Sequence, residues 1–225
     1  MSNHITNNQI ETLITKKIKH SAAGELFEHW KNCETCQQKI RNEKRKSLLY
    51  KGNKEPKHSH ILQRNANISG LNIECFFSKF GIQKINLSNK STTKSPPQSQ
   101  TNNKIFQEFI KTLDEYFQGN PINFTKIDPQ LINTDFRRKV LFWTWLIPCG
   151  KTINYGKIAK WIECNSAQAI GQALKNNPLP LIIPCHRVVG KNGDLTGFAS
   201  GLEVKKRLLE IENVINPVRR NLYFG

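Results

Sequence analysis

The stretch Pro178-Leu-Pro-Leu-Ile-Ile-Pro184-Cys185-His186-Arg187-Val-Val places a thiol, an imidazole and a guanidinium in succession after an apolar segment bounded by prolines. A cysteine acts as a nucleophile through its thiolate, and a nearby histidine or cationic group favours that form. His186 is also the only histidine after residue 60. The sequence therefore predicts that Cys185 is a reactive cysteine.

A second Ile-Pro-Cys tripeptide in the chain serves as an internal comparison. Ile147-Pro148-Cys149-Gly150 carries the cysteine without the histidine and arginine that follow Cys185. A cysteine without such neighbours usually behaves as a small hydrophobic residue. We therefore expect Cys149 to lie buried and unreactive at the end of a helix.

The residues around the Cys185 stretch predict a mostly helical C-terminal half. Apolar spacing and capping residues indicate helices over about 135–146, 155–163, 166–175 and 202–214. Only a residue or two separates the second and third of these helices, which is the spacing of a helix-turn-helix. The third carries small residues at 167, 169, 171 and 173. These small residues could allow the helix to approach DNA closely or to pack closely against another helix. Taken without other evidence, they favour helix packing over DNA contact.

The region before residue 129 predicts a small α+β unit over 65–128. Apolar and polar residues alternate over 71–78, Gly81 marks a turn, and 82–87 can return as a partner strand. An apolar stripe then runs from Ile105 to Phe117, with Asn102 or Asn103 as the N-cap and Gly119 at the end. Polar stretches over 41–60 and 86–103 are expected to form a linker and an exposed loop.

The composition indicates a polyanionic partner. The chain has 34 Lys and Arg against 17 Asp and Glu, a formal net charge of +17, and both halves share the excess. Such a charge favours nucleic acid over membrane as partner. No apolar run is long enough for a membrane-spanning helix, no secretory signal opens the chain, and the six cysteines lack a disulfide-scaffold spacing. We expect free thiols in a reducing compartment.

The region around Cys185 resembles the methylated-DNA–protein-cysteine methyltransferases, also called O6-alkylguanine-DNA alkyltransferases. The resemblance is strong over about 135–214 and weak over about 65–134, and residues 1–60 lie outside it. Besides Pro184-Cys-His-Arg-Val, the matching motifs follow in the family's order: Phe136-Arg-Arg-Lys-Val, Ile147-Pro-x-Gly-Lys-Thr, Tyr155-Gly-x-Ile-Ala, Ala169-x-Gly-x-Ala, Asn177-Pro-x-Pro and Thr196-Gly-Phe-x-x-Gly-Leu-x-x-Lys205.

The resemblance implies a fold and a reaction. The expected fold is α+β, with an α+β domain over 65–128, a helical catalytic and DNA-binding domain over 129–225, and an additional helical or disordered extension over 1–60. The expected reaction is one irreversible transfer of a methyl or larger alkyl group from O6 of guanine in DNA to the protein's own cysteine, without a cofactor. O4-alkylthymine is a further candidate substrate. The resemblance also implies a monomer that acts on double-stranded DNA in the cytoplasm, at the nucleoid or in the nucleus.

The resemblance assigns four residues to the chemistry. Cys185 is the nucleophile and alkyl acceptor, and His186 is its base, acting through a water. Adjacent residues on an extended strand point to opposite sides, so a direct bond between the two side chains is not expected. Glu212 matches the carboxylate that orients the histidine, although a solvated helix residue is an equally good interpretation of it. Tyr155 matches the tyrosine that donates a proton to the leaving guanine.

Four further residues are expected to contact the substrate or the DNA: Gln168, Asn177, Arg187 and Phe198. The target base must leave the duplex to expose its O6 atom, and the family inserts the second helix of its motif into the minor groove. There the family usually carries an arginine that fills the gap left by the base. Gln168 stands at that position, so we expect slower repair of duplex DNA. Asn177 matches a turn residue beside the pocket, and Phe198 stands where the family often has tyrosine.

The extension contains the motif His29-x3-Cys33-x2-Cys36, which resembles the zinc-binding motif of anti-sigma-factor zinc-finger domains. A structural zinc site normally needs four ligands, for which His4 and His20 are candidates. Free thiols and a histidine on a polar helix are the alternative, and no metal is assigned to the reaction. The basic run Arg41-Asn-Glu-Lys-Arg-Lys46 could contact phosphates or form a solvated linker.

Two other functions remain compatible with the sequence. A non-catalytic damage sensor on the same fold would bind alkylated DNA without the reactive cysteine. A repair domain could also be fused to a regulatory N-terminal segment that binds a partner. The joint presence of the cysteine, histidine, tyrosine and glutamate favours the enzyme.

Overall fold

The computed structural model of the chain describes residues 4–14, 20–44, 47, 49, 62–68, 70–89 and 103–215. Three short helices come first, a three-stranded sheet follows, and the rest is mainly helical. The elements in chain order are α1 (Asn7–Ile14), α2 (His20–Trp30), α3 (Glu34–Glu43), β1 (Leu62–Ile68), β2 (Leu71–Ser78), β3 (Gly81–Ser88), α4 (Lys104–Phe117), α5 (Asp135–Trp145), β4 (Ile153–Asn154), α6 (Tyr155–Trp161), α7 (Ala167–Lys175), β5 (Val188–Val189) and α8 (Leu202–Ile211). Single turns of 3₁₀ helix lie at Pro129–Leu131 and Cys185–Arg187. The predicted α+β fold class is confirmed.

The first sheet is antiparallel, in the order β1-β2-β3. Alternate residues of β2 are buried, and Ile73 pairs with Leu87 and Cys75 with Ile85 across to β3. The alternation of apolar residues therefore predicted the first and last residues of β2 and β3 to within one residue. β1 was not predicted, because its sequence Leu-Gln-Arg-Asn-Ala-Asn-Ile has no alternation of apolar residues.

Helix α4 covers this sheet with the apolar stripe seen in its sequence. The Asn103 side chain accepts hydrogen bonds from the backbone amides of Ile105 and Phe106, which fixes the start of the helix. The ring of Phe106 meets that of Phe77 from β2 edge to face, with 5.8 Å between centroids. The last buried residue of the stripe is Tyr116, whose hydroxyl lies at the catalytic end of the molecule.

Helices α6 and α7 are separated by five residues (162–166) rather than the one or two expected. The reason is that Glu163 adopts a left-handed backbone conformation with φ of 59°. This conformation ends α6 at Trp161 and turns the amide of Cys164 back to the carbonyl of Ala159 at 2.9 Å, the pattern of a Schellman C-cap. Ser166 then caps α7 by accepting from the amide of Ala169.

The last helix ends early in the same way. Asn213 has a φ of 57°, and the amide of Val214 donates to the carbonyl of Leu209 at 2.9 Å. Helix α8 therefore stops at Ile211, three residues before the predicted end, and Glu212 becomes its C-cap residue. This ending turns the Glu212 side chain into the protein, where it is fully buried.

A two-stranded parallel pair joins the two functional segments. Ile153 and Asn154 of β4 pair with Val188 and Val189 of β5. Since β4 immediately precedes Tyr155 and β5 immediately follows the Cys185–Arg187 turn, the pair brings these segments side by side.

The extension is helical in its described part and packs into the core of the catalytic half. The ring of Trp30 at the end of α2 lies 5.3 Å from that of Trp143 and 4.8 Å from that of Trp161. Arg41 donates from Nε to the carbonyl of Trp161 at 3.1 Å. Most of the predicted linker (41–60) and loop (86–103) lies outside the described residues. Within these residues, no helix is long and apolar enough to cross a membrane.

The packing of Trp30 predicts that the extension contributes to the stability of the whole protein. Trp30→Ala removes a fully buried indole, and we expect a loss of roughly 3–5 kcal/mol in the free energy of unfolding. Chemical denaturation of full-length protein measures it. Phe80→Ala is the control, because Phe80 is 40% exposed and should matter little. Equal small losses in both variants would mean that the extension does not pack as described.

Candidate functional site

The segment before Cys185 is a buried loop held in one shape by Asn177. The Asn177 side chain accepts from the amide of Leu179 at 3.0 Å and donates to the carbonyl of Ile183 at 2.8 Å. Between these, Leu181 is buried with a φ of 72°, a conformation that is unfavourable for a leucine. The Asn177 bonds therefore constrain a strained turn, and this turn delivers Cys185 to the site.

The Cys185 thiol is 6% exposed. Burial raises its pKa, against the opposing effect of the hydrogen bond from Asn177 Nδ2 to Sγ at 3.1 Å. The positive charge of Lys205 also acts to lower the pKa of Cys185. The thiol therefore stays protonated at neutral pH, and the donors around it favour the thiolate once a base removes the proton.

His186 forms a buried pair with Glu212. Nε2 of His186 lies 2.8 Å from Oε1 of Glu212, and both side chains are fully buried. Burial lowers the pKa of His186 more than the carboxylate raises it, so the ring is neutral at neutral pH. The carboxylate can only accept, so Nε2 carries the proton and Nδ1 keeps its lone pair. Nδ1 is buried, and no described side chain or backbone group hydrogen-bonds to it.

The Cys185–Arg187 segment is a turn of 3₁₀ helix and not the extended strand expected. No direct hydrogen bond joins the Cys185 and His186 side chains among the described residues. The predicted separation of the two side chains therefore holds, but the helical turn produces it rather than the alternation of a strand.

The Glu212 carboxylate is the centre of a network of donors. Arg187 binds it with two nitrogens, Nε to Oε2 and Nη2 to Oε1, both at 2.8 Å. The hydroxyl of Tyr116 donates to Oε1 at 2.8 Å, and the amide of Gly150 donates to Oε2 at 3.3 Å. Burial would raise the pKa of Glu212, but the charges and hydrogen bonds of Arg187 and His186 outweigh it and hold this pKa far below its ordinary value.

Tyr155 and Lys205 are near the thiol but make no hydrogen bond to Glu212 in the described part of the chain; both donate to the carbonyl of Thr196. The Tyr155 hydroxyl donates to the carbonyls of Thr196 and Gly197 at 3.0 and 3.1 Å. Burial raises the pKa of Tyr155, so the hydroxyl keeps its proton at neutral pH. The buried Lys205 amine donates to the carbonyls of Val188 and Thr196, and burial lowers the pKa of Lys205 to about 8.

Two neighbouring clefts give access to these residues. The first, of about 530 Å³, is lined by Cys185, Asn177 and Phe198. The second, of about 630 Å³, is lined by Tyr155, Gln168 and again Phe198. Gln168 is exposed on α7. Phe198 therefore borders both the space in front of the thiol and the surface of α7.

Two family matches cover most of the chain after the extension. The 6-O-methylguanine DNA methyltransferase DNA binding domain matches residues 135–214, and the ribonuclease-like domain of the same enzymes matches residues 73–128. The chain belongs to the 6-O-methylguanine DNA methyltransferase family. This confirms the family predicted from the sequence, and with it an enzyme that repairs DNA by methyl transfer to a cysteine. DNA is its binding partner.

Individual members of this methyltransferase family agree with the match. The methylated-DNA–protein-cysteine methyltransferase of Methanosarcina mazei is 42% identical over 128 residues, which are 56% of this chain and 80% of the relative. That of Sulfolobus acidocaldarius is 42% identical over 112 residues, 50% of this chain and 70% of the relative. The crystal structure of Mycobacterium tuberculosis OGT in complex with DNA has a TM-score of 0.54 at 26% identity, covering 67% of this chain and 91% of that one.

The fold brings most of the residues predicted for the methyltransferase site into one region. Cys185, Asn177 and Phe198 share a cleft, and Glu212 joins His186 behind it. Arg187 was predicted to contact substrate or DNA, but its side chain is buried and ion-paired with Glu212. Arg187 lines neither cleft, and its guanidinium instead binds Glu212 and the carbonyl of Ile147, so we expect it to position Glu212.

Sequence reasoning missed two residues of the site, Tyr116 and Lys205. Tyr116 belongs to the apolar stripe of α4, where a tyrosine is indistinguishable from an ordinary core residue. Lys205 ends the motif Thr196-Gly-Phe-x-x-Gly-Leu-x-x-Lys, and its place in that motif was the one signal in the sequence. Its burial beside the site is visible only in the fold.

The Tyr116 hydroxyl is expected to act as a positioning group for the His186–Glu212 pair. Tyr116→Phe removes one hydrogen bond to a charged group, worth about 1.5–3 kcal/mol. We expect methyl transfer at neutral pH to slow by about tenfold. The carboxylate charge becomes less compensated, so the pKa of His186 rises. With the neutral ring as the expected base, the loss of rate on acidification should then begin at a higher pH than in the wild type.

The control for this variant removes a different buried hydrogen bond. Ser78 donates from its hydroxyl to Asp128 at 2.6 Å, and neither residue touches the Glu212 network. Ser78→Ala should lower the melting temperature without moving the pH profile. Single-turnover transfer measured against pH compares the two. Identical profiles for both variants would contradict a positioning role for Tyr116.

Proposed function

We propose that Cys185 accepts the alkyl group and that the residues around it serve the transfer as the family resemblance implies. The observation that carries this proposal is the arrangement of a buried thiol, held by Asn177, beside the His186–Glu212 pair. The proposed substrate is O6-alkylguanine in double-stranded DNA. The protein is proposed to act as a monomer wherever that DNA lies, in the cytoplasm or a nucleus.

The first step is activation of the thiol. The proton of Cys185 Sγ passes to Nδ1 of His186, with a water as the relay since no direct contact joins the two side chains. His186 becomes an imidazolium, which the Glu212 carboxylate stabilises across the 2.8 Å hydrogen bond. Asn177 and the charge of Lys205 stabilise the thiolate that remains.

The second step is displacement at the alkyl carbon. An electron pair of the thiolate forms the S–C bond while the C–O6 bond breaks and its electrons remain with guanine. Tyr155 donates its proton to the guanine ring as this charge develops, which releases neutral guanine. The thioether product has no thiolate and no bond that the site can cleave, so each molecule acts once.

The proposed contacts with DNA involve α7 and the flipped base. The exposed Gln168 on α7 and the half-buried Phe198 border the second cleft. We propose that Phe198 packs against the flipped base and that Gln168 contacts the base left behind. The exposed small residues at the start of α7 support close approach to the groove.

Transfer to Cys185 is tested by the intact mass of the full-length protein after incubation with an O6-methylguanine duplex. We expect the wild type to gain one methyl group and Cys185→Ala to gain none. Cys149→Ala is the matched control, since burial raises the pKa of Cys149 to about 12 and its thiol is not activated. That variant should gain one methyl group.

The same experiment separates the enzyme from the damage sensor. Wild-type protein that binds the methylated duplex tightly but gains no mass would overturn the proposal in favour of a non-catalytic sensor. Methylation retained in Cys185→Ala would instead assign the acceptor to another cysteine.

The residue at position 168 predicts a specific defect on duplex DNA. Gln168→Arg adds a longer, charged side chain that can fill the space of the flipped base, and we expect several-fold faster single-turnover repair of a duplex. Repair of a single-stranded oligonucleotide should not change, because no orphaned base exists there. Gln172→Arg adds the same charge one turn along the exposed face of α7 and serves as control. Equal acceleration by both variants would attribute the effect to charge alone.

A further inference from the structure

A cluster of four metal-binding side chains lies in the extension, away from the catalytic residues. The cluster consists of His4, His29, Cys33 and Cys36. We propose that these residues form a structural zinc site. The proposal does not depend on the transfer reaction, since neither catalytic cleft includes any of the four.

Three of the distances between ligand atoms in the cluster are close to those of a tetrahedral site. Nε2 of His29 lies 3.2 Å from Sγ of Cys36, and Nδ1 of His4 lies 3.4 Å from Sγ of Cys33 and 3.6 Å from Sγ of Cys36. All four ligand atoms lie within 4.8 Å of one another. A zinc ion with Zn–S of about 2.3 Å and Zn–N of about 2.0–2.1 Å holds N and S ligand atoms roughly 3.5 Å apart.

The fold gathers these ligands from three segments. His4 precedes α1, His29 lies in the last turn of α2, and Cys36 lies in the first turn of α3. Cys33 occupies the N-cap position of α3 but makes no capping hydrogen bond, so its thiol is available to the cluster. A structural zinc site needs four ligands and the motif supplies three, so His4 is the fourth. The side chain of His20, the other candidate, lies outside the described residues.

The chemistry of the four donors selects zinc. Two thiolates and two imidazoles in tetrahedral array form the closed ligand set of structural zinc sites, with no position left for substrate. The amide of Ile5 points at Cys36 Sγ at 3.4 Å, an outer contact that suits a charged thiolate ligand. His4 is exposed while Cys36 is buried, so an ion can reach the cluster from solvent on the His4 side.

Zinc at this position would hold the segments of the extension together. The extension in turn packs against the catalytic half. The ion would tie the residue before α1 to the α2–α3 junction. The same junction carries Trp30, packed between Trp143 and Trp161, and Asn32, which accepts from Lys157 Nζ at 3.0 Å. The expected role of the zinc ion is therefore to stabilise the packing of the extension against α6.

The first test is the metal content of full-length protein purified without added metal and dialysed. We expect about one zinc per chain in the wild type and in Cys164→Ser, a control cysteine outside the cluster, and almost none in the Cys33→Ser/Cys36→Ser double variant. His4→Ala is the milder probe, because it removes one exposed ligand. We expect it to weaken zinc binding by at least about tenfold while methyl transfer stays unchanged.

A spectroscopic readout keeps the proposal testable if the double variant does not fold. Wild-type protein in which Co²⁺ replaces zinc should show the intense visible bands of a tetrahedral ion and the near-ultraviolet bands of two thiolates, and His4→Ala should alter the visible bands. Zinc-free wild-type protein, a zinc content that the double variant leaves unchanged, or a Cys33–Cys36 disulfide in protein purified under reducing conditions would overturn the proposal.

Discussion

The buried carboxylate of Glu212 is the interaction on which the site depends. It receives hydrogen bonds from His186, Arg187, Tyr116 and the amide of Gly150, which come from three separate segments of the chain. A buried charge is costly unless its oxygens are fully paired. The same hydrogen bonds also hold α4, the loop at Gly150 and the Cys185–Arg187 turn in place relative to the end of α8.

This constraint also determines the chemistry of the thiol. Glu212 can hold the imidazole in a single tautomer only because Arg187 and Tyr116 saturate its remaining positions. In the proposed mechanism Nδ1 of the neutral ring is the base, while burial raises the pKa of Cys185 and keeps the thiol protonated until the base acts. The proposed reactivity of the cysteine thus comes from its partners and not from a low pKa of its own. Cys149, which shares the Ile-Pro-Cys tripeptide, is buried beside the same carboxylate but lacks a base.

The sequence predicted those parts of the fold that depend on local periodicity. Strand β2, helix α4 and its cap Asn103 follow from residues close together in the chain. The same reasoning did not end α6 and α8 correctly, because Glu163 and Asn213 adopt left-handed conformations. Glutamate gives no signal of such a conformation, whereas asparagine is an accepted residue after a helix end, and the prediction ran past it. The resemblance supplied the pairing of His186 with Glu212.

What the sequence could not supply were contacts between distant segments. Tyr116 is 96 residues from Glu212 and looks like one more apolar position of α4. His4 is 29 residues from Cys33, and nothing in the spacing of the zinc-like motif distinguishes it from His20. Arg187 follows His186 in a stretch full of functional residues, yet its side chain turns inward to a carboxylate that only the tertiary fold brings near.

The position of the extension also depends on contacts between residues that are distant in the sequence. Trp30 and Arg41 contact Trp161, at the end of α6, on the side of the helix-turn-helix that faces the core. The exposed Gln168 lies on α7, at the edge of a cleft that no described residue of the extension lines. An added unit that packed on the face of α7 proposed to meet DNA would compete with the DNA. This unit instead buries its largest side chain against α5 and α6, and none of its described residues lines the cleft beside α7.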